Sequence, residues 1–206
     1  MSTKTTFAIP GNGAFFHAPP NTELPSGGIK AFTLAAARGN PPVGWESLGH
    51  TSEENLPSLA LEGGEATTKG SWLASSLYTF YSNVNASLSG NSIQLDRETF
   101  NLIMGAWSGP AETGGSVVGT KKRTSPRSLV MIASHDSGGF GIYAPNAAIG
   151  FGGELELDKE NFVELPFVAP FLVPEAGLLP DSPEGDPGVW QWFGPDDFIA
   201  GGEGGE

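Results

Sequence analysis

Apolar and polar positions alternate most clearly over residues 77–88, LYTFYSNVNASL. Tyr78, Phe80, Val84, Ala86 and Leu88 take the even positions, with Ser82 the one polar break. Thr79, Tyr81, Asn83, Asn85 and Ser87 take the odd ones. A period of two predicts one long strand, apolar on one face and wet on the other. Residues 89–92 (SGNS) turn the chain. Asp96 can then cap a helix near 96–105, with Glu98 in its first turn at the positive end of the dipole and Gly105 as its stop. The apolar stripe of that helix is Phe100, Ile103, Met104 and Trp107. A helix lying on a sheet is the expectation, its stripe meeting the face of Tyr78, Phe80, Val84 and Leu88.

Shorter runs fill in the rest. Residues 29–37 (IKAFTLAAA) predict a strand ended by Arg38-Gly39-Asn40-Pro41-Pro42, and 43–48 start again around Trp45. A Gly-rich loop over 108–116 leads to a short strand at Val117-Val118. Residues 128–134 (SLVMIAS) read as a buried strand that returns over 140–144 through a glycine-containing hairpin. Residues 154–157 (ELEL) and 162–165 (FVEL) predict a second hairpin, and 189–193 (VWQWF) an aromatic strand. Residues 166–180 are apolar but broken by prolines, which exclude a central strand and leave an edge strand or a docked extended segment. Residues 1–28 lack periodicity and form an arm, where the paired Phe15 and Phe16 favour docking over disorder. Residues 200–206 (AGGEGGE) read as a disordered tail. The layout is mainly β, a sandwich or barrel with one helix packed on the sheet. It divides into an arm (1–28), a β domain (29–165) and an extended C-terminal segment (166–206) with an acidic loop.

Composition narrows the class. A chain of 206 residues builds one domain or at most two. Its 30 glycines and 17 prolines are spread between aromatic and β-branched runs, as in many strands joined by turns and loops. No run of apolar residues reaches membrane-span length, and the N-terminus lacks the apolar stretch of a secretory signal, so synthesis in the cytoplasm without membrane insertion is expected. Cysteine is absent, which removes disulfides and thiolate metal sites. Residues 1–135 carry nine acidic and nine basic side chains, whereas 136–206 carry fourteen acidic residues against Lys159 alone. A surface so charged repels nucleic-acid backbones, although acidity also serves plain solubility.

Candidate chemistry is sparse. Lys121, Lys122, Arg123 and Arg127 form the one basic cluster. Without interleaved aromatics it is small for nucleic acid, and reads as a solvated hairpin tip or as a contact with an acidic neighbour. Asp136-Ser137-Gly138-Gly139 echoes the nucleophile segment of chymotrypsin-like serine proteases, with His17, His50 and His135 as bases and Asp96 as a possible orienter. Against a serine hydrolase built on Ser137 stand its ordinary hairpin composition and the opposite facing of neighbours on a strand. Glu154, Glu156 and Glu164 cluster, but a row along a strand is not the converging oxygen cage calcium needs. A solvated acidic face is the expectation, with no cofactor and no metal.

One segment resembles a known family. Gly44-Trp45-Glu46-Ser47-Leu48-Gly49-His50-Thr51-Ser52 is similar to the W-x-x-L-G-x-T-S opening of the major tail proteins of long-tailed bacteriophages, and continues as Glu53-Glu54-Asn55-Leu56-Pro57. The order that follows also fits: residues 59–65 (LALEGGE), then Lys69-Gly70-Ser71-Trp72, then the long strand and helix. The resemblance implies a structural virion protein without enzymatic activity. Six copies would form a ring, and rings would stack around a tape measure protein, with other tail proteins as further partners. DNA would pass through the lumen as non-specific cargo. In that picture Thr79, Tyr81, Asn83, Asn85, Ser87, Glu154 and Glu156 face the lumen. Phe15, Phe16, Lys121, Lys122, Arg123, Arg127, Phe167 and Phe171 then meet other subunits or rings. The alternative from the strand pattern alone is a monomeric β-sandwich that binds or decorates.

Overall fold

The computed structural model describes residues 11–135, 138–157 and 159–198. Its strands are β1 (Asn12–Ala18), β2 (Glu46–Ser47), β3 (Ser58–Gly63), β4 (Ala66–Lys69), β5 (Tyr78–Tyr81), β6 (Val84–Ser92), β7 (Trp107–Ser108), β8 (Ser116–Val117), β9 (Ser125–His135), β10 (Gly138–Phe151), β11 (Leu165–Pro170) and β12 (Gln191–Phe193). Three short helices, α1 (Leu34–Arg38), α2 (Arg97–Met104) and α3 (Pro195–Phe198), join a 3₁₀ turn at Gly28–Ala31. Eight strands form one antiparallel sheet in the order β2-β1-β9-β10-β11-β6-β3, with β12 also on β10. The mainly β architecture with a helix on the sheet is the one the alternation predicts.

The long strand β10 organises the sheet. Its first part pairs with β9 and β12, while Gly150 and Phe151 pair with β11. A register shift against β9 between Ala144 and Ala147 bends it, as a bulge does. Two apolar clusters result. One gathers Phe15, Leu88, Leu129, Ile149, Leu165 and Phe167 with Leu102 and Ile103 of α2. The other holds Phe16, Val130, Ile132 and Tyr143 under Ile29, Phe32 and Trp45. Neighbours Phe15 and Phe16 thus enter opposite clusters, as strand alternation requires. Edge-on ring contacts tie each in, Phe15 to Phe167 at 5.2 Å and Phe16 to Phe32 at 5.0 Å.

Helix α2 forms as its sequence directs. Asp96 Oδ1 accepts from the N–H groups of Glu98 and Thr99 at 2.9 and 3.0 Å, and Gly105 closes the last turn. Ile103 is buried, with Phe100 and Met104 partly so, and Leu102 joins them. Trp107 lies beyond the stop in β7, exposed, with the Arg123 guanidinium 4.8 Å from its ring centre. The helix packs on β10 and β11 and shares a cluster with Ala86 and Leu88 of β6.

The structure departs from the sequence reading at six places. Residues 89–92, expected to turn the chain, continue β6 and pair with β11. Part of the expected arm, residues 12–18, is β1, paired along its length with β9 inside the sheet. Residues 29–37 are no strand: the Thr33 hydroxyl accepts from Ala36 N–H and starts α1, where alanines favour helix. Residues 154–157 and 162–165 form no hairpin; 152–164 is a connection, and Leu165 starts β11. β11 is an interior strand despite Pro166 and Pro170. Its ladder to β10 joins Gly150 with Val168 and Phe151 with Phe167, and Ala147 bridges Phe171. At Pro166 the contact runs through the proline's carbonyl, which accepts from Gly152 N–H at 3.0 Å, so no N–H is asked of it. Finally, the long strand of 77–88 is two strands, β5 and β6, in different sheets. The tail at 200–206 lies outside the described residues.

Candidate assembly surfaces

Strands β3 and β6 form one edge of the sheet, and β4 and β5 form a separate two-stranded ribbon. The two pairs are one hairpin. Gly63 is opposite Val84, and Ala66 is opposite Tyr81, three residues further along each strand, so no residue is inserted between them. The ribbon is therefore the sheet's edge pair running on past the fold. At the junction Gly63 and Gly64 hold φ of 98° and 72°. A Cβ on Gly63 would come within 2.1 Å of the Asn83 carbonyl oxygen, so glycine is required there. Beyond it, Glu65 and Ser82 exchange two hydrogen bonds of 3.0 Å, and the hydroxyls of Thr68 and Thr79 meet at 2.8 Å.

Cover disappears at that junction. Leu88 is 1% exposed and Ala86 6%, whereas Val84 is 58%, Phe80 39% and Tyr78 67% exposed. Of the face expected to meet α2, only Ala86 and Leu88, inside the sheet, share its cluster. Tyr78 and Phe80 instead lean on each other, with the Lys69 ammonium 5.6 Å from the Phe80 ring centre. Trp72 and Leu73 at the tip are fully exposed. So large an apolar display on a two-stranded ribbon, which is only marginally stable by itself, calls for a covering surface.

The remaining candidate residues separate. Thr79 and Tyr81 lie on the ribbon and Asn83 at its base, while Asn85 and Ser87 lie on β6 on the side away from Ala86 and Leu88. Strand structure is interrupted between Tyr81 and Val84, with Asn83 in the gap. Glu154 and Glu156 are exposed in the 152–164 connection. Lys121, Lys122 and Arg123 are exposed between β8 and β9, and Arg127 is half-buried on β9. Phe15, Phe16, Phe167 and Phe171 are buried within this chain's own clusters, because they sit on strands or strand ends of the sheet. Docking of the paired phenylalanines is thus onto the chain itself. Ser137 lies outside the described residues.

The 44–57 segment owes its composition to anchoring. Trp45 fills one cluster and Leu48 the other. Gly49 turns the chain at φ 83°, where a Cβ would collide with Gln94. Ser52 N–H then donates to Asn91 carbonyl at 2.8 Å, and Ile93 N–H to His50 carbonyl at 3.0 Å. Glu164 closes the arrangement. Its Oε1 accepts from the Ser52 hydroxyl, and its Oε2 from the amides of Asn55 at 2.8 Å and Asn91 at 2.6 Å. Partial burial pushes this carboxyl up, but the bonds from Ser52, Asn91 and Asn55 outweigh it and hold it below the usual range. These partners are far apart in sequence, so spacing gave no sign of them.

Two further titratable groups belong to the body of the fold. Burial, with Arg127 nearby, lowers His17 to about 4, so at neutral pH it is uncharged and its 3.8 Å approach to Glu46 is not an ion pair. Burial, then the Glu23 charge, raises Tyr143 to about 12, and its hydroxyl donates to Thr22 carbonyl at 2.7 Å. Among the described residues no group of three His, Asp or Glu is placed to hold a metal, and no helix is long and apolar enough to cross a membrane.

The chemistry of these surfaces is adhesive, and comparison with known proteins agrees. The sequence pattern of the phage tail tube protein family matches residues 1–180. The major tail protein Gp23 of Mycobacterium phage L5 is 28% identical over 160 residues, covering 69% of this chain and 77% of that protein. The major tail protein Gp23 of Mycobacterium phage D29 is 28% identical over 126 residues, covering 60% and 62%. A β-rich fold, a projecting apolar ribbon and a match over most of its length agree: the chain belongs to the phage tail tube protein family and is a structural component of the virion tail.

Proposed function

We propose that copies of this chain polymerise as stacked rings, six to a ring, and form the tube through which phage DNA is delivered. The observation that carries the reading is the ribbon of β4 and β5. Its alternation is that of a strand built to be covered on one face, and the fold leaves that face bare from Val84 to Trp72. A projecting element on one surface that fits a different surface of the next copy is a heterologous contact, which closes into rings or propagates into tubes. The net charge of −13 suits a conduit for DNA, since it offers the phosphates nothing to bind. A tape measure protein inside the tube and other tail proteins at its ends complete the assembly. No catalytic role enters this reading.

The test is assembly of the purified protein at high concentration, followed by negative-stain microscopy and sedimentation. Hollow rings or tubes are expected, and replacing residues 65–82 by a two-residue Asn-Gly turn should leave a folded monomer. Strict monomers, alone and with the other tail components, would overturn the proposal and favour a monomeric binding or decoration module. Unimpaired tubes from the shortened chain would remove the ribbon from it.

A further inference from the structure

Three segments that the sequence keeps apart converge on the Glu164 carboxylate: Ser52 and Asn55 from the 49–57 loop, Asn91 from the end of β6, and the connection that Glu164 itself terminates. We infer that ionised Glu164 is a positioning residue, a fastener that holds the loop and the 152–164 connection against β6 and keeps the groove between them in shape for the next copy.

The geometry supports this in three ways. Both carboxylate oxygens are engaged, and all three groups on them are donors. A protonated or amide side chain loses an acceptor and presents a hydrogen of its own to a ring of donors. The hydrogen bonds also run on: Ser52 Oγ accepts from Asn55 N–H at 3.1 Å, so one carboxylate orders both ends of a turn. Among its described residues the connection belongs to no strand, and it carries exposed Leu155, Leu157 and Phe162. Loop and connection form one wall of an open groove of about 1620 Å³, with Leu56, Pro57 and Phe162 in it, opposite parts of β1, β9 and α2.

Other charges border the same groove. The loop brings His50, Glu53 and Glu54, the connection Lys159 and Glu160, and the start of α2 Asp96 and Glu98. From the far wall come His17 of β1, Arg38 of α1, Glu46 of β2 and Arg127 of β9. Strands β6 and β11, on either side of the fastener, carry no charged residue. None of these groups donates to Glu164 in place of Ser52, Asn55 and Asn91. A depressed carboxyl contributes its hold above its ordinary range and loses it as pH falls through the lowered value, so acid opens the fastener.

Hydrogen exchange tests this directly, at the amides of Ser52, Asn55 and Ile93. In the wild-type chain their protection should be constant near neutral pH and fall as the carboxyl protonates. Glu164→Gln should exchange about tenfold faster or more at neutral pH, as for the loss of one hydrogen bond to a charged group, and should lack the acid transition. His50→Gln should keep that transition, since His50 enters only through its backbone carbonyl. Asn55→Ala, which removes one donor and no core side chain, should give an intermediate rate and serves if Glu164→Gln does not fold. Wild-type protection of these amides in Glu164→Gln, or an acid transition unchanged by it, would overturn the fastener.

The link to assembly rests on the proposed polymerisation and is read separately, by sedimentation. Failure of the wild-type chain to assemble would count against the polymerisation while the exchange rates still decide the fastener. Glu164→Gln that loosens the loop yet assembles as wild type would overturn the link. Loss of assembly at neutral pH in a folded Glu164→Gln chain is the expected result.

Discussion

Two parts of one hairpin make opposite use of the same pattern. In β6, Ala86 and Leu88 point into a cluster with Leu102 and Ile103, and their partner strand β3 is backed by the sheet. In β5, Tyr78 and Phe80 continue the register with larger apolar side chains, yet among the described residues they stay exposed, touching each other and Lys69. Alternation therefore reports that a face is meant to be buried. It does not report whose surface buries it. The first part supplies folding free energy to the monomer, and the second holds apolar area in reserve for association.

That contrast can be broken most forcefully by truncating each side in turn. Leu88→Ala should destabilise the monomer by about 2–5 kcal/mol, measured by denaturant unfolding. Joint replacement of Tyr78 and Phe80 by alanine should cost the monomer under about 1 kcal/mol and still abolish tube formation. Similar unfolding losses for both would mean the ribbon is part of the folding unit. Acid sharpens the contrast next. His17 is neutral in the fold with a value of about 4 against 6.5 unfolded, so its contribution is complete above pH 6.5 and drains away as pH falls toward 4. The loss should approach about 3 kcal/mol, and His17→Gln should flatten the stability profile over that window. A smaller effect belongs to the cap of α2: Asp96→Ala removes the acceptor for two N–H groups and should cost about 0.5–2 kcal/mol of body stability without touching the ribbon. Smallest is Arg123→Ala, which gives up a cation–π contact on exposed Trp107 worth about 0.5–1 kcal/mol in a melting curve.

The sequence carried local features well and boundaries poorly. The cap at Asp96, the stop at Gly105 and the β9–β10 hairpin are decided within a few residues, and each stands where local chemistry put it. The apolar parity of Tyr78 to Leu88 was also legible. The point at which the strand leaves the sheet was not, because Phe80 and Leu88 look alike in a pattern. Only Gly63 and Gly64 mark it, on the opposite strand. Pro166 and Pro170 misled because a proline's cost depends on whether its missing N–H would have been paired. β6 is bonded by the N–H of Phe171 next to Pro170, and Gly152 at the end of β10 reaches Pro166 through the proline's carbonyl. Phe15 and Phe16 looked like an adhesive arm because their partners, Phe167 and Phe32, are distant in sequence or lie past a turn. Glu164 looked like one member of an acidic row. Its role depends on Ser52 and Asn91, brought near only by the folded sheet.

The uninterrupted register across the Gly63 junction sets a rule for how such a protein can vary over evolutionary time. Adding one residue to each strand lengthens the ribbon by one rung, about 3.4 Å, but turns every side chain beyond it to the other face. Two residues per strand restore the facing. The reach of the arm is thus adjustable in steps of about 7 Å, with the adhesive side conserved and the body of the fold undisturbed. Lineages related to this chain should differ in ribbon length by even numbers of rungs, a spacing rule that comes from strand geometry alone.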